Sequence, residues 1–123
     1  MRAIGTFEIK LEPQSDESNP AGRMLINKEY IGDINGIGVG QMISKRTESG
    51  VAVYYAIEEF VGSIAGIKGA FTFLHRGLMS DENQTLDIEI LKGSSSGELY
   101  GISGSLNIIQ ENGMHRYELE YQL

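Results

Sequence analysis

The sequence has no cysteine and no tryptophan, and only two prolines and two histidines, in 123 residues. Without cysteine there is no disulfide and no thiolate metal site. No apolar run approaches the ~20 residues that a membrane-spanning helix needs. The start, Met-Arg-Ala-Ile-Gly-Thr-Phe-Glu, lacks the apolar stretch of a secretory signal, so cytoplasmic residence is the expectation. The sequon Asn83-Gln84-Thr85 is then silent, because glycosylation requires the secretory route. Charge of one sign is also short: the net charge is −7. That field repels phosphate backbones and anionic lipid heads, so neither nucleic acid nor a membrane is expected as a partner.

Amphipathic helical patterning is missing too; what is present is alternation with period two. Over 3–11, Ala3, Gly5, Phe7, Ile9 and Leu11 alternate with Thr6, Glu8, Lys10 and Glu12. A polar loop follows over 13–20, bracketed by its prolines. The stretch 22–32 puts Met24, Ile26, Lys28 and Tyr30 on one face, and Asp33, Asn35 and Gly36 predict a turn. Over 37–47, Ile37, Val39, Gln41 and Ile43 oppose the glycines 36, 38 and 40, leaving one strand face bare for sharp curvature or close approach by a ligand. The stretch 51–61 is apolar on both faces, 68–79 alternates through Phe71, Phe73 and His75, and Leu86, Ile88 and Ile90 share a face. Loop chemistry over 93–97 precedes a strand at 105–110, with 98–104 read as a turn of helix or an extended connection. Asn112-Gly113 is a hairpin turn leading to a last strand with His115, Tyr117, Leu119 and Tyr121 on one face.

Short strands at near-even spacing predict a single all-β domain over 1–123, either a sandwich or a barrel. Strong strands at both chain ends favour closure, since pairing them removes two apolar edges. The fold expected is a closed antiparallel up-and-down barrel of about eight strands.

Five segments carry a family resemblance: Ala3-x-Gly5-x-Phe7-Glu8; Tyr54-x-Ala56-Ile57-Glu58; Gly62 to Phe71 leading into His75; Gly97-Glu98-Leu99-x-Gly101-x-Ser103-Gly104; and His115-x-Tyr117-x-Leu119-x-Tyr121. In order and spacing the chain resembles a bacterial family catalogued as a domain of unknown function, whose members resemble the allene oxide cyclase-like barrels, relatives of the plant dirigent proteins. The resemblance implies a small calycin-like barrel with a central cavity; it does not imply cyclase activity. Where such sequences often carry arginine after Gly66, this chain has Ile67, so a role for that arginine does not carry over.

A two-residue turn at Ala65-Gly66 would place Phe73 opposite Glu58 and His75 opposite Ala56. Glu58 and His75 then become diagonal neighbours on one face, within side-chain reach. They are the candidate acid–base pair. Tyr54, Phe60, Phe71, Phe73, His115, Tyr117 and Lys28 are the candidate ligand-binding residues of an aromatic-lined lumen. A Glu–His or Glu–Lys pair can equally satisfy itself inside a narrow barrel, as buried polar groups must. Glu58, His75 and His115 match a two-histidine, one-carboxylate metal set by type, yet no HxH or HExxH spacing occurs and no metal is expected. Gly93-Ser94-Ser95-Ser96-Gly97 lacks the helix of a nucleophile elbow, and Gly36-Ile37-Gly38-Val39-Gly40 lacks dinucleotide spacing, so no cofactor is expected.

Three readings of function follow. The first is a small-molecule-binding barrel for a hydrophobic or aromatic compound. The second is a lyase or isomerase using Glu58 and His75. The third is a packed barrel acting only as an interaction module. Outward-facing Tyr55, Ile57 and Val61 predict a covered surface, with a homo-oligomer as the cover.

Overall fold

The computed structural model describes residues 1–14 and 21–123, so most of the loop expected over 13–20 lies outside the described residues. Its strands are β1 Arg2–Pro13, β2 Gly22–Gly32, β3 Ile34–Arg46, β4 Ala52–Ile64, β5 Ile67–Met79, β6 Gln84–Ile90, β7 Ser96–Gly97, β8 Ser103–Glu111 and β9 Met114–Gln122. No helix occurs among the described residues. Eight strands close an antiparallel barrel in the order β1-β2-β3-β4-β5-β6-β8-β9 and back to β1. The all-β, eight-stranded closure expected from the alternation is what forms.

Turn chemistry sets the register. Ala65 and Gly66 take φ of 50° and 81°, and Asn112 and Gly113 take 53° and 77°. Such paired left-handed residues match the twist of a two-residue hairpin. The first turn pairs Ile64 with Ile67 and so fixes Glu58 opposite Phe73 and His75 opposite Ala56, as the spacing predicts.

Two local expectations are revised. The β2–β3 reversal is confined to Gly32 and Asp33, so Asn35 and Gly36 already belong to β3. Asp33 causes this: its Oδ2 accepts from the Ile4 N–H at 2.9 Å, and its own N–H donates to the Ile4 carbonyl at 3.0 Å. Clamped to β1, the chain must reverse there. The glycine-serine loop also contributes a strand, because β6 leaves β5 at Phe73↔Ile90 and exposes the first part of β5. β7 covers that edge through Gly69↔Gly97 and Ala70↔Ser96.

The two ends of the barrel differ. At the end where β3 begins and β4 finishes, Ile34, Ile64 and Leu99 are fully buried, and Ile102 nearly so. Above them Phe60 stacks on Phe71 at 4.9 Å, and Phe71 meets Phe73 edge-on at 4.9 Å. Burying each such ring contributes roughly 1.5–3 kcal/mol, so this half is a packed core. At the opposite end the inward-facing Met24, Met42, Tyr54, Ile108 and His115 are half-buried.

Tyr117 ties the barrel across sequence. Its hydroxyl accepts from the Ile34 N–H at 2.8 Å and donates to the Ile31 carbonyl at 3.0 Å. Gly5 lies beneath that hydroxyl, and a Cβ there would fall 2.4 Å from it. A side chain at position 5 would therefore displace the tyrosine from the β2–β3 turn.

Candidate functional site

The centre of the lumen holds a charge. Glu58 is fully buried on β4, and its carboxylate reaches over β3 to β2. It can do so because β3 carries glycine at that level: Gly38 pairs with Lys28 on one side, and Gly40 pairs with Glu58 on the other. A Cβ on Gly38 would lie 2.0 Å from Glu58 Oε2. The bare face read from the glycine alternation is thus occupied by the chain's own carboxylate.

Three side chains satisfy that carboxylate. Lys28 Nζ donates to Oε1 at 3.1 Å, and His75 Nε2 lies 2.8 Å from the same oxygen. The Tyr30 hydroxyl donates to Oε2 at 2.5 Å. Burial pushes the Glu58 carboxyl up, but the His75 hydrogen bond, the Lys28 charge and the Tyr30 hydroxyl together outweigh it and hold it below its ordinary 4.5. An ionised carboxylate only accepts, so His75 Nε2 carries the proton it shares with Glu58. Burial and the adjacent Glu58 charge push the Tyr30 phenol well above 10.0, which keeps it a donor. Lys28, at 4% exposure, also lies over the Phe7 ring at 4.9 Å.

His115 stacks on the same Phe7 ring at 5.1 Å, at the half-buried end. Tyr54 lies there against Gly77, its phenol pushed up by burial. Among the described residues neither the Tyr54 hydroxyl nor the His115 ring nitrogens have a hydrogen-bond partner in the chain.

A family model described as a protein of unknown function, DUF3224, matches residues 3–121. The chain belongs to the DUF3224 family. A crystal structure of a DUF3224 protein of unknown function from Shewanella oneidensis MR-1 is similar to it, with 34% identity and a TM-score of 0.94. That likeness covers 100% of this chain and 96% of the other. No curated protein matches the chain.

In this DUF3224 chain the candidate residues separate into three groups. Glu58, His75 and Lys28 come together, joined by Tyr30, which the sequence places on the inward face without assigning it a role. Phe60, Phe71, Phe73 and Tyr117 pack against one another or the backbone in the closed half. Tyr54 and His115 lie at the other end, His115 touching the first group only through the Phe7 ring that it shares with Lys28. No cluster of three metal-ligating side chains occurs among the described residues.

Proposed function

We propose that the chain is a small-molecule-binding barrel whose site is the half-buried end ringed by Met24, Met42, Tyr54, Ile108 and His115. One observation carries this reading. Inward-facing groups at that end are neither fully buried nor, for Tyr54 and His115, hydrogen-bonded within the chain, whereas the other end is packed and satisfied. Apolar walls with a few polar groups suit a hydrophobic or aromatic compound bearing one hydroxyl or carbonyl. The Glu58 network adjoins this end through Phe7, whose ring contacts Lys28 at 4.9 Å and His115 at 5.1 Å. The resemblance to allene oxide cyclase-like barrels that the sequence motifs suggest for the family's members is in keeping with this reading and assigns no cyclase activity.

A thermal-shift screen against phenolics and oxidised lipids tests it. A compound at a hundred times its dissociation constant adds about 2.7 kcal/mol of stability. A dose-dependent shift that disappears in His115→Ala supports the reading. Shifts that persist unchanged in both His115→Ala and Tyr54→Ala place the site elsewhere and contradict it.

The contact between Glu58 and His75 favours a second reading, an enzyme of the lyase or isomerase kind. Both Glu58 oxygens are engaged by neighbours, so His75 would carry the proton and Glu58 would orient it. Turnover unchanged by His75→Asn would exclude that role.

A further inference from the structure

One seam of the barrel wall is incomplete. β6 runs over Gln84–Ile90 and β8 over Ser103–Glu111, yet the two pair only at Ile88↔Leu106 and Glu89↔Ser105. Toward the half-buried end, Leu86 and Ile108 stand where a continued ladder would join them, and among the described residues no pairing does. The alternation of ladder bonds sets which backbone groups are left over. The Leu91 N–H donates to the Thr72 carbonyl, so by alternation Glu89 and Asp87 bond β5 as well. Leu86 therefore turns its N–H and C=O away from β5, into the seam. On β8 the two-residue hairpin at Asn112-Gly113 starts the count. Glu111, Ile109 and Asn107 bond β9, and Ile108 turns toward β6. Side-chain exposure agrees. Leu86 shares the inward face of Ile88 and Ile90, yet it is 37% exposed where they are 2% and 7%. A groove of about 790 Å³ reaches both lips of the seam, bordered there by Asp87 and Asn107.

We propose that this seam is a polar subsite of the lumen, taking the head of an elongated ligand whose apolar chain lies inside. The proposal rests on the binding reading above and adds the shape and head chemistry of the ligand. The backbone groups of Leu86 and Ile108 offer donors and acceptors side by side. An alcohol or amide head, which both donates and accepts, satisfies them. A carboxylate only accepts, so it would leave the two carbonyls unmatched. Charge opposes it too. Asp87 and Glu89 border the groove on β6, and Glu118 lies opposite Asn107 on β9. The cations nearby already face carboxylates: Arg116 pairs with Glu111 at 3.0 Å, and Arg76 stands opposite Asp87. The ligand class is therefore a neutral, long-chain alcohol or amide.

Amide NMR of the protein, alone and titrated with decanol or decanoate, tests the proposal. Without ligand, the Leu86 and Ile108 amides are expected to exchange with solvent about tenfold or more faster than those of Asp87 and Ile109. Decanol is expected to shift both amides and slow their exchange. Decanoate is expected to bind about tenfold or more weakly, and Asp87→Asn with Glu89→Gln to narrow that gap. Both of those side chains point outward, so the melting temperature of the double variant should confirm an intact barrel. Leu86 and Ile108 amides as protected as their neighbours would mean a closed seam and overturn the proposal. Decanoate binding as tightly as decanol would overturn its head chemistry. Decanol that shifts the Met24 and Met42 methyls, with loss in His115→Ala, but leaves both amides unchanged would overturn the seam and spare the binding reading. No binding of either compound would overturn both.

Discussion

Glu58 occupies the space that a side chain at Gly38 would need. The glycine lies on β3, between the strand that carries the carboxylate and the strand that carries two of its partners, Lys28 and Tyr30. Gly38→Ala would force the carboxylate away from both and strand the Lys28 ammonium. Denaturant unfolding should show a loss of about 3 kcal/mol or more. Gly22→Ala is the control, because a Cβ there meets Ser44 Oγ at an ordinary 3.5 Å. Its effect should stay within about 0.5 kcal/mol.

Glu58→Gln keeps shape and removes charge, leaving Lys28 buried without its counter-ion. A loss of about 3–5 kcal/mol is expected at neutral pH. The folded carboxyl lies below its ordinary 4.5, so its contribution is complete above that value and is lost as pH falls through the folded one. Unfolding free energies measured between about pH 3 and 7 should therefore fall more steeply with acid in the wild type than in Glu58→Gln. Parallel curves would mean that Glu58 is not held as an ion.

Tyr30 gives the opposite sign at high pH. Its folded phenol lies well above 10.0, so its contribution is complete below that value and is lost as pH rises beyond it. Absorbance of phenolate should show Tyr30 ionising only as the barrel unfolds, with the late step smaller by one phenolate in Tyr30→Phe, because the buried Tyr117 phenol is raised as well.

Tyr117→Phe removes the hydroxyl that satisfies the Ile34 N–H and the Ile31 carbonyl. A cost of about 1–3 kcal/mol is expected. Hydrogen exchange should locate it, with faster exchange at the Ile34 amide than in the wild type.

The hairpin half of the site is legible in the sequence. A two-residue turn at Ala65-Gly66 fixes register, and register alone brings Glu58 and His75 within reach. Lys28 is legible as an inward-facing cation for a Glu–Lys pair and Tyr30 only as inward-facing, and no turn brings either to Glu58, because β2 and β4 meet only across β3. That relationship depends on pairings distant in sequence and on glycines whose bare face has several uses. β7 is illegible for a related reason: Ser96 and Gly97 form a strand only because β6 departs from β5. Alternation tells which face Tyr54, Phe60 and His115 occupy. It does not tell height along the barrel, and height separates the packed aromatics from the half-buried end.

The most direct test of the binding reading is methyl NMR of the protein's five methionines, titrated with phenolic and oxidised-lipid fragments. Met24 and Met42 face the half-buried end, whereas Met1 is exposed beside the start of β1 at the opposite end. Dose-dependent, saturable shifts are expected at Met24 and Met42, lost in His115→Ala. Shifts confined to Met1, or none from any fragment, would contradict the binding reading and favour a barrel that acts through its outer surface.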